Sequence, residues 1–556
     1  MVAVRKLFAL LLVAFTASAN ELSFRSIQSG WNSAATPLTD HGLNGAGQIV
    51  AVLDTGVDYD SCYFAEVDGS RPPANTGTPS SGLGWTNVDP SRRKIIAYDF
   101  LYSCDQFPGA TGCENPNNPS AYDNTDHGTH AAAIAVGDFN RFGEHDFADG
   151  MAPGAKLIVQ DGGFIGGDLC SQRPGFGCPV NLTPILDQAY KQGARIHSNS
   201  WGDRQNTPPN QITPTANYSQ SSRDVDAFVY AHPDMLVVFD TGNWGTTTEV
   251  LPTPAPPMSV AAPGSAKNTL QVGGVRPPGR NDDLISWNTL FGPTRDGRIK
   301  PDVVGPATVL AGDWDFGANA PNCNISTLGP GTSWSTPTIA GGAALVRQYY
   351  TDGFYPSGTR KAADAITPSA ALLKATIIAA ARQVPLRMTY TGDVAAKPVP
   401  SNEQGFGFPV LDDALYFAGD RTKLRVADVA TAKGLAAGES TTLQLNAFAG
   451  TPLKVVLVWT DPPGVVRTVS DSTPELVNDL DLRVVAPSGA TSLGNGQVDR
   501  LNNVEVVSIP QPATGAYTVT VTANHLGAGP RQGYALVMTG DFTSAPVGRS
   551  RAVRTR

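Results

Sequence analysis

The strongest constraint on the fold is a series of short apolar runs with no polar alternation. "QIVAVLD" (48–54), "LIVQD" (157–161), "ARIHSNS" (194–200), "MLVVFD" (235–240) and "TLQVGG" (269–274) are of this kind. A strand that is wet on one face alternates polar with apolar. One covered on both faces, as in a parallel sheet flanked by helices, does not. Between and after these runs, "HGTHAAAIAVG", "LTPILDQAYKQG", "RDVDAFVYAHPD", "SWSTPTIAGGAALVRQYY" (333–350) and "AALLKATIIAAARQ" (370–383) carry helical spacing. The alternation predicts a doubly wound α/β fold on a mostly parallel sheet.

After about residue 420 the texture changes. "STTLQLNAFA", "PLKVVLVWTD", "DLDLRVVAP", "VEVVSIPQ", "GAYTVTVTAN" and "GYALVMTGD" are short β-branched runs separated by turn residues. They predict a C-terminal all-β sandwich or jelly roll of roughly 120 residues. The 556 residues exceed what one compact core holds, which agrees with a division into two units. The expected boundaries are 1–19 for a leader, 20–418 for the α/β domain, 419–542 for the all-β domain and 543–556 for a basic disordered tail.

The leader rests on Arg5 and Lys6, the apolar run Leu7–Ala17 and "ASA" ending at Ala19. Charged, apolar and small-residue segments in that order read as a secretory signal peptide, and the run is too short to span a bilayer. Cleavage after Ala19, export and no stable membrane insertion are expected. The formal net charge of −9 makes nucleic acid an unsuitable partner. All six cysteines lie between Cys62 and Cys323. Cys104 with Cys113 and Cys170 with Cys178 are expected to staple loops, while Cys62 and Cys323 could be bonded or buried free thiols.

The chemistry gathers around three segments. In an open parallel sheet, reactive groups collect beyond the carboxyl ends of the strands, and Asp54 in "VLDTGVD" occupies such an end. A turn-forming structural role would also explain it. His127 in "DHGTHAAAIA" opens a small-residue helix. His130 follows three residues later, but neither zinc-site spacing nor HExxH is present to make a metal pair. "GPGTSWSTPTIAG" (329–341) holds four hydroxyls in seven residues, more than a helix cap needs. A serine becomes nucleophilic beside an imidazole that a carboxylate orients, and at a helix start it also meets free backbone N–H groups. Ser333 fits that requirement. Asn243 in "DTGNWG" offers an amide donor to an oxyanion.

In the order Asp, His, Ser, these segments resemble the subtilisin-like serine proteases, or subtilases. "GMAPGAKLIVQD", "GARIHSNSWG", "APGSAKN", "DGRIKPDV" and "LVNDLDLRVVAPSG" are similar to the branch of oxidatively stable alkaline proteases with a C-terminal β-barrel domain. The similarity runs from about residue 40 to 542. It implies a secreted serine endopeptidase of broad specificity, with protein or peptide substrates as its partners and the molecule a monomer. Asp54, His127 and Ser333 would form the triad and Asn243 the oxyanion hole. Ser200, Trp201 and Gly202 in "NSWG" would pair with substrate backbone and form one wall of the S1 pocket. Thr241 and Gly242 would form the other wall, and Ala261 the floor. The loop "DGGFIGG" (161–167) would flank the substrate. The uncharged floor implies medium-to-large apolar P1 residues, and Trp201 and Phe164 could equally be core aromatics. No cofactor is required for the chemistry. Structural calcium is a family trait, with Asn478, Asp479 and Asp481 as candidate ligands and Asn502, Asn503 and Glu505 following.

Several motif positions depart from the family pattern. Trp334 stands where Met is usual after the nucleophile, "DTGN" replaces "AAGN", and "NTLFGP" replaces "SSRGP". Asp240 would oppose an oxyanion if its carboxylate pointed inward, and it is expected to turn away. Only 28 residues separate Ala19 from Gln48, so either the protein folds without the usual pro-domain or the gene start is misplaced. These departures keep open a second function, a catalytically impaired relative acting as a binding protein.

Overall fold

A computed structural model describes residues 18–544, apart from 32, 77–85, 102, 104–114, 116–125, 140–145, 165–174, 177–180, 203, 208–210, 215, 245–254, 277–283, 287, 313–322 and 390. The expected leader, the loop staples Cys104–Cys113 and Cys170–Cys178, and the tail from 545 lie outside the described residues. Cleavage after Ala19 would fall within the first turn of a helix, Ser18–Ser29.

The unalternating runs form the centre of an 11-stranded sheet. Its principal strands are β1 (Ile49–Asp54), β2 (Ile95–Phe100), β3 (Lys156–Asp161), β4 (Ile196–Asn199), β5 (Leu236–Asp240), β6 (Leu270–Arg276) and β7 (Val303–Pro306). The spatial order is β2-β3-β1-β4-β5-β6-β7, and each of these pairings is parallel. Short strands extend both edges, and the one added to β6, Leu284–Ile285, is antiparallel. Val50 to Leu53 and Leu236 to Phe239 are almost wholly buried, as strands covered on both faces should be. Two of these seven principal strands were not expected, β2 and β7.

Two helices carry the chemistry, α1 (His127–Val136) and α2 (Thr332–Thr351). The expected helix over 370–383 stops at Ala379, and Ala381–Arg382 becomes a strand paired with Phe408–Pro409. Cys62 and Cys323 are joined by a disulfide with Cα atoms 5.0 Å apart. This settles the alternative left open by the sequence and ties the loop after β1 to the segment that leads into α2.

Residues 423–544 form two antiparallel sheets. One orders Lys423–Val429, Tyr534–Gly540, Leu453–Val458 and Val504–Ile509; the other contains Asn478–Val485, Gly515–Leu526 and Ser440–Ala447 between shorter edge strands. Tyr534–Gly540 is buried on both faces, for a reason visible in its period of two. Ala535 and Val537 join the core of the α/β part, whereas Leu536 and Met538 join the core between the two sheets, around Trp459 and Tyr517. The antiparallel sheet therefore packs against the α/β part through its outer face.

Candidate active site

The DTG and HGTH segments interlock at backbone level. Asp54 ends β1, Gly56 turns the chain at φ +100°, and α1 starts directly above. A Cβ on Gly128 would lie 1.9 Å from the Gly56 carbonyl oxygen, so only glycine allows this approach. The Gly128 N–H donates to Thr55 Oγ1 (3.0 Å), and the Asp58 N–H donates to Thr129 Oγ1 (2.8 Å). His127 is thereby held at the first position of α1, its Nδ1 2.7 Å from Asp54 Oδ1. The same Asp54 oxygen accepts the Thr55 N–H at 2.8 Å. Asp54 is 3% exposed, whereas the His127 side chain is 29% exposed. One partner is fixed and the other faces the opening.

Ser333 is the second residue of α2, after Gly331 as the cap. Pro337 lies four residues beyond it and has no N–H to offer the Ser333 carbonyl. Ser200 Oγ donates to that carbonyl instead (2.8 Å), and the Ser333 hydroxyl donates to the Ser200 carbonyl at 3.4 Å. The proline thus opens an acceptor that ties the "NSWG" segment to the serine. In this resting rotamer the Ser333 hydroxyl faces Ser200 rather than His127, and such nucleophile–base contacts commonly tighten only when substrate binds. The other hydroxyls are committed elsewhere: Ser335 to the Gly305 carbonyl, Thr336 to the Thr332 carbonyl, and Thr332 to Asp240 and Asn243.

Asn243 is oriented through its oxygen. Oδ1 accepts from the Thr332 N–H (2.9 Å), from Thr332 Oγ1 (3.0 Å) and from Asn288 Nδ2 (3.3 Å). Nδ2 is left as the free donor of the amide among the described residues, next to the start of α2. Asn288 also holds the Pro330 carbonyl at 2.6 Å. This functional residue was missed in the sequence, although its signal was present as the departure "NTLFGP". Asp240 does not turn away as expected. It is 1% exposed and lies under the start of α2, where Thr332 Oγ1 donates to its Oδ2 at 3.2 Å. The Trp334 ring sits over His127 with centroids 4.9 Å apart, and it meets His130 edge-on at 5.6 Å.

The expected pocket walls meet as follows. The Ala261 N–H donates to the Thr241 carbonyl (3.0 Å), joining floor to wall. A Cβ on Gly202 would come within 2.7 Å of Ala261 Cβ, so this glycine permits a close approach. Gly242 takes φ +85°. Trp201 is 5% exposed and packs edge-on against Phe239 at 5.3 Å, which leaves its backbone, not its indole, to meet a ligand. From the flanking loop, Gly163–Phe164 pairs antiparallel with Gly175–Phe176.

The residues expected to bind calcium all have protein partners here. Asn478 is consumed by protein: Nδ2 donates to the Ala528 carbonyl and Gln532 Oε1, and Oδ1 accepts from the Ala528 N–H. Asp479 and Asp481 share Arg500 as their cation, at 3.2 and 2.5 Å. Asn502 Oδ1 accepts the Ile299 N–H, and Asn503 Nδ2 donates to Asn268 and to the Trp459 carbonyl. Among the described residues no group of three or more His, Cys, Asp or Glu converges as a metal cage would.

A carboxylate-bound imidazole, a serine at a helix start and an amide oriented through its oxygen are the parts that acyl transfer requires. The profile of the subtilase family (peptidase S8) matches residues 45–407, and the chain belongs to this family of serine proteases. It is 24% identical over 628 aligned residues to the serine protease/ABC transporter B family protein tagA of Dictyostelium discoideum, covering 93% of this chain and 32% of that protein. It is 32% identical over 230 residues to the subtilisin-like protease SBT3.18 of Arabidopsis thaliana, covering 39% and 28%. The chain thus spans about a third of the length of the curated relatives it matches. Among solved structures, the serine protease of Aeromonas sobria aligns over 94% of this chain and 95% of its own at 14% identity, with a TM-score of 0.40.

Proposed function

We propose that the protein is a secreted serine endopeptidase that hydrolyses peptide bonds through an acyl-enzyme on Ser333. The observation carrying this reading is the 2.7 Å bond from His127 Nδ1 to Asp54, in a fold where Ser333 enters a helix whose start also holds the Asn243 amide by its oxygen. His127 Nε2 takes the Ser333 proton as Oγ attacks the scissile carbonyl, then returns it to the leaving amine. Asp54 holds the imidazole tautomer and stabilises the imidazolium. The oxyanion forms against Asn243 Nδ2 and the backbone N–H of Ser333 at the start of α2. Ser200, Trp201 and Gly202 on one side and Thr241 and Gly242 on the other would take an extended substrate as an added strand, above a floor at Ala261. Medium-to-large apolar P1 residues suit this uncharged floor.

Kinship with the oxidatively stable alkaline branch fits Trp334, which presents no thioether for oxidation next to the nucleophile. Residues 419–542 are assigned to an all-β domain that folds on its own core. The leader composition supports export. Among the described residues no helix is long and apolar enough to cross a membrane.

The test is labelling with a serine-directed fluorophosphonate together with casein hydrolysis, wild type against Ser333→Ala. Ser333-dependent labelling and hydrolysis are expected. Their absence from folded wild-type protein would leave the second reading, a binding protein on a protease scaffold, which Asp240 beneath the oxyanion site favours.

A further inference from the structure

The segment that follows the pocket floor runs directly into the C-terminal strands. From Ala261 to Lys267 the chain makes a compact double turn: the Ser265 N–H donates to the Ala261 carbonyl (3.2 Å), and the Ala266 N–H donates to the Pro263 carbonyl (2.9 Å). At the pocket end the turn hangs on the Thr241 carbonyl through the Ala261 N–H, and on Gln271 Nε2 through the Ala261 carbonyl (3.1 Å). At its other end the Lys267 backbone stays in the α/β part, its N–H donating to Asp226 Oδ2 (3.2 Å), while its side chain crosses to the C-terminal region. Its ammonium group, 0% exposed, reaches Asp461 Oδ2 (2.5 Å), the Pro462 carbonyl (2.5 Å) and the Glu475 carbonyl (2.8 Å). Its three N–H donors have three acceptors, all in the C-terminal region.

The other end of this tie is equally fixed. Asp461 accepts the N–H groups of Val477 (2.9 Å) and Asn478 (2.8 Å), and its own N–H donates to Asn268 Oδ1 (2.9 Å). Asn268 in turn donates from Nδ2 to the Asp461 carbonyl (2.9 Å). A buried ion pair contributes little to stability over an apolar replacement, because desolvation offsets the Coulomb gain. What such a pair does supply is a unique geometry, and here it lies six residues from the pocket floor.

We propose that Lys267 is a positioning residue through which the C-terminal strands fix the floor of the S1 pocket at Ala261, so that the β region is part of the specificity apparatus of the enzyme. This rests on the protease reading above. Releasing the Lys267 side chain removes the tie to the C-terminal strands and leaves this end of the turn on the Asp226 carboxylate (3.2 and 2.8 Å) and on the Asn217 carbonyl (2.9 Å), so that the turn can shift relative to Thr241 and Gly202. Displacements near 1 Å in a positioning segment change rates by up to about 10²-fold. Because the floor touches only the P1 side chain, the loss should discriminate between P1 residues.

The experiment compares wild type, Lys267→Met and Asp461→Asn on peptides that differ only at P1 (Ala, Leu, Phe), with rates normalised to active sites titrated by fluorophosphonate. Asp461→Asn keeps the side-chain shape and one of the two acceptor oxygens that serve Val477 and Asn478, so it serves where Lys267→Met does not fold. Arg500→Ala, which removes an ion pair elsewhere in the C-terminal region, is the control. The expected result is a change on the order of tenfold in the ratio of kcat/KM between P1 Phe and P1 Ala for the tie variants, with the control ratio unchanged. Lower active-site content with the wild-type ratio would mean a purely structural tie and would overturn the inference. Wild-type protein that cannot be titrated at all would instead remove the protease reading on which it stands.

Discussion

Two histidines sit in the same α/β unit, each bonded to polar side chains, and they differ in nearly everything that matters for chemistry. His127 stands beyond the carboxyl end of β1, its Nδ1 on a carboxylate and its ring more than a quarter exposed. His197 lies within β4 and is 0% exposed, with Nε2 2.7 Å from Gln160 Oε1 and Nδ1 3.0 Å from Asn199 Nδ2. Burial drives the His197 pKa down to about 3, so the ring is neutral, and both of its nitrogens are taken. A neighbouring carboxyl completes the contrast: Asp99 is buried with Asn75 and Gln192 on its Oδ1 (both 2.8 Å), and burial raises its pKa to about 7. A histidine that can move a proton requires a place where a partner can still arrive, and the sheet supplies that place only at its carboxyl edge.

The largest effect should come from breaking the open cluster. Ser333→Ala or His127→Ala is expected to lower kcat by about 10⁶-fold, a size carried over from the family, with the melting temperature close to wild type. Steady-state kinetics with calorimetry on the same samples checks this; a variant that keeps more than a few per cent of activity would place the chemistry elsewhere. Asn243→Leu comes next, with kcat reduced by about 10²–10³ (~2.7–4 kcal/mol of barrier) and KM little changed. Unchanged turnover would remove Asn243 from the oxyanion role.

The closed cluster should respond in the opposite sense. His197→Leu is expected to leave turnover per titrated site intact and to lower stability by about 1–3 kcal/mol, since it strips partners from buried Gln160 and Asn199. Chemical denaturation measures it. The smallest effect is a slope. Because folding raises the Asp99 pKa from 3.8 to about 7, its favourable contribution is complete below the unfolded value and is lost as pH rises from about 4 to 7. Asp99→Asn should flatten that decline, so the variant gains on wild type toward pH 7 and above. Thermal melts across this range would read the difference, and parallel curves would show that Asp99 does not titrate there.

Much of this was legible in the chain. The run "IVAVLD" lacks polar alternation, the run "HGTHAAAIAV" is small-residue and helical, and the hydroxyls of "GTSWSTP" exceed the needs of a cap; strand and helix follow from local pattern, and a candidate nucleophile stands at the helix start. Less legible was "IIAYDF", an apolar run that also proved to be a fully buried strand next to one edge of the sheet. Asn288 was visible only as a departure from a familiar motif, because its role depends on Asn243 and Pro330, which are distant in sequence. The acidic run holding Asp479 and Asp481 suggested a cation, and the structure adds one that the run does not contain, Arg500, which pairs with both.

Local chemistry thus determined which residue types stood at the ends of which elements, because periodicity and turn preference act over a few residues. Tertiary structure decided which of them meet. The order of the strands brings Asp54 under His127, and Pro337 leaves a carbonyl that only Ser200 is placed to fill. Lys267 finds its partner 194 residues away, in strands that the α/β segment gives no reason to expect. Such pairings depend on the packing of whole sheets, and no window of the sequence contains both partners.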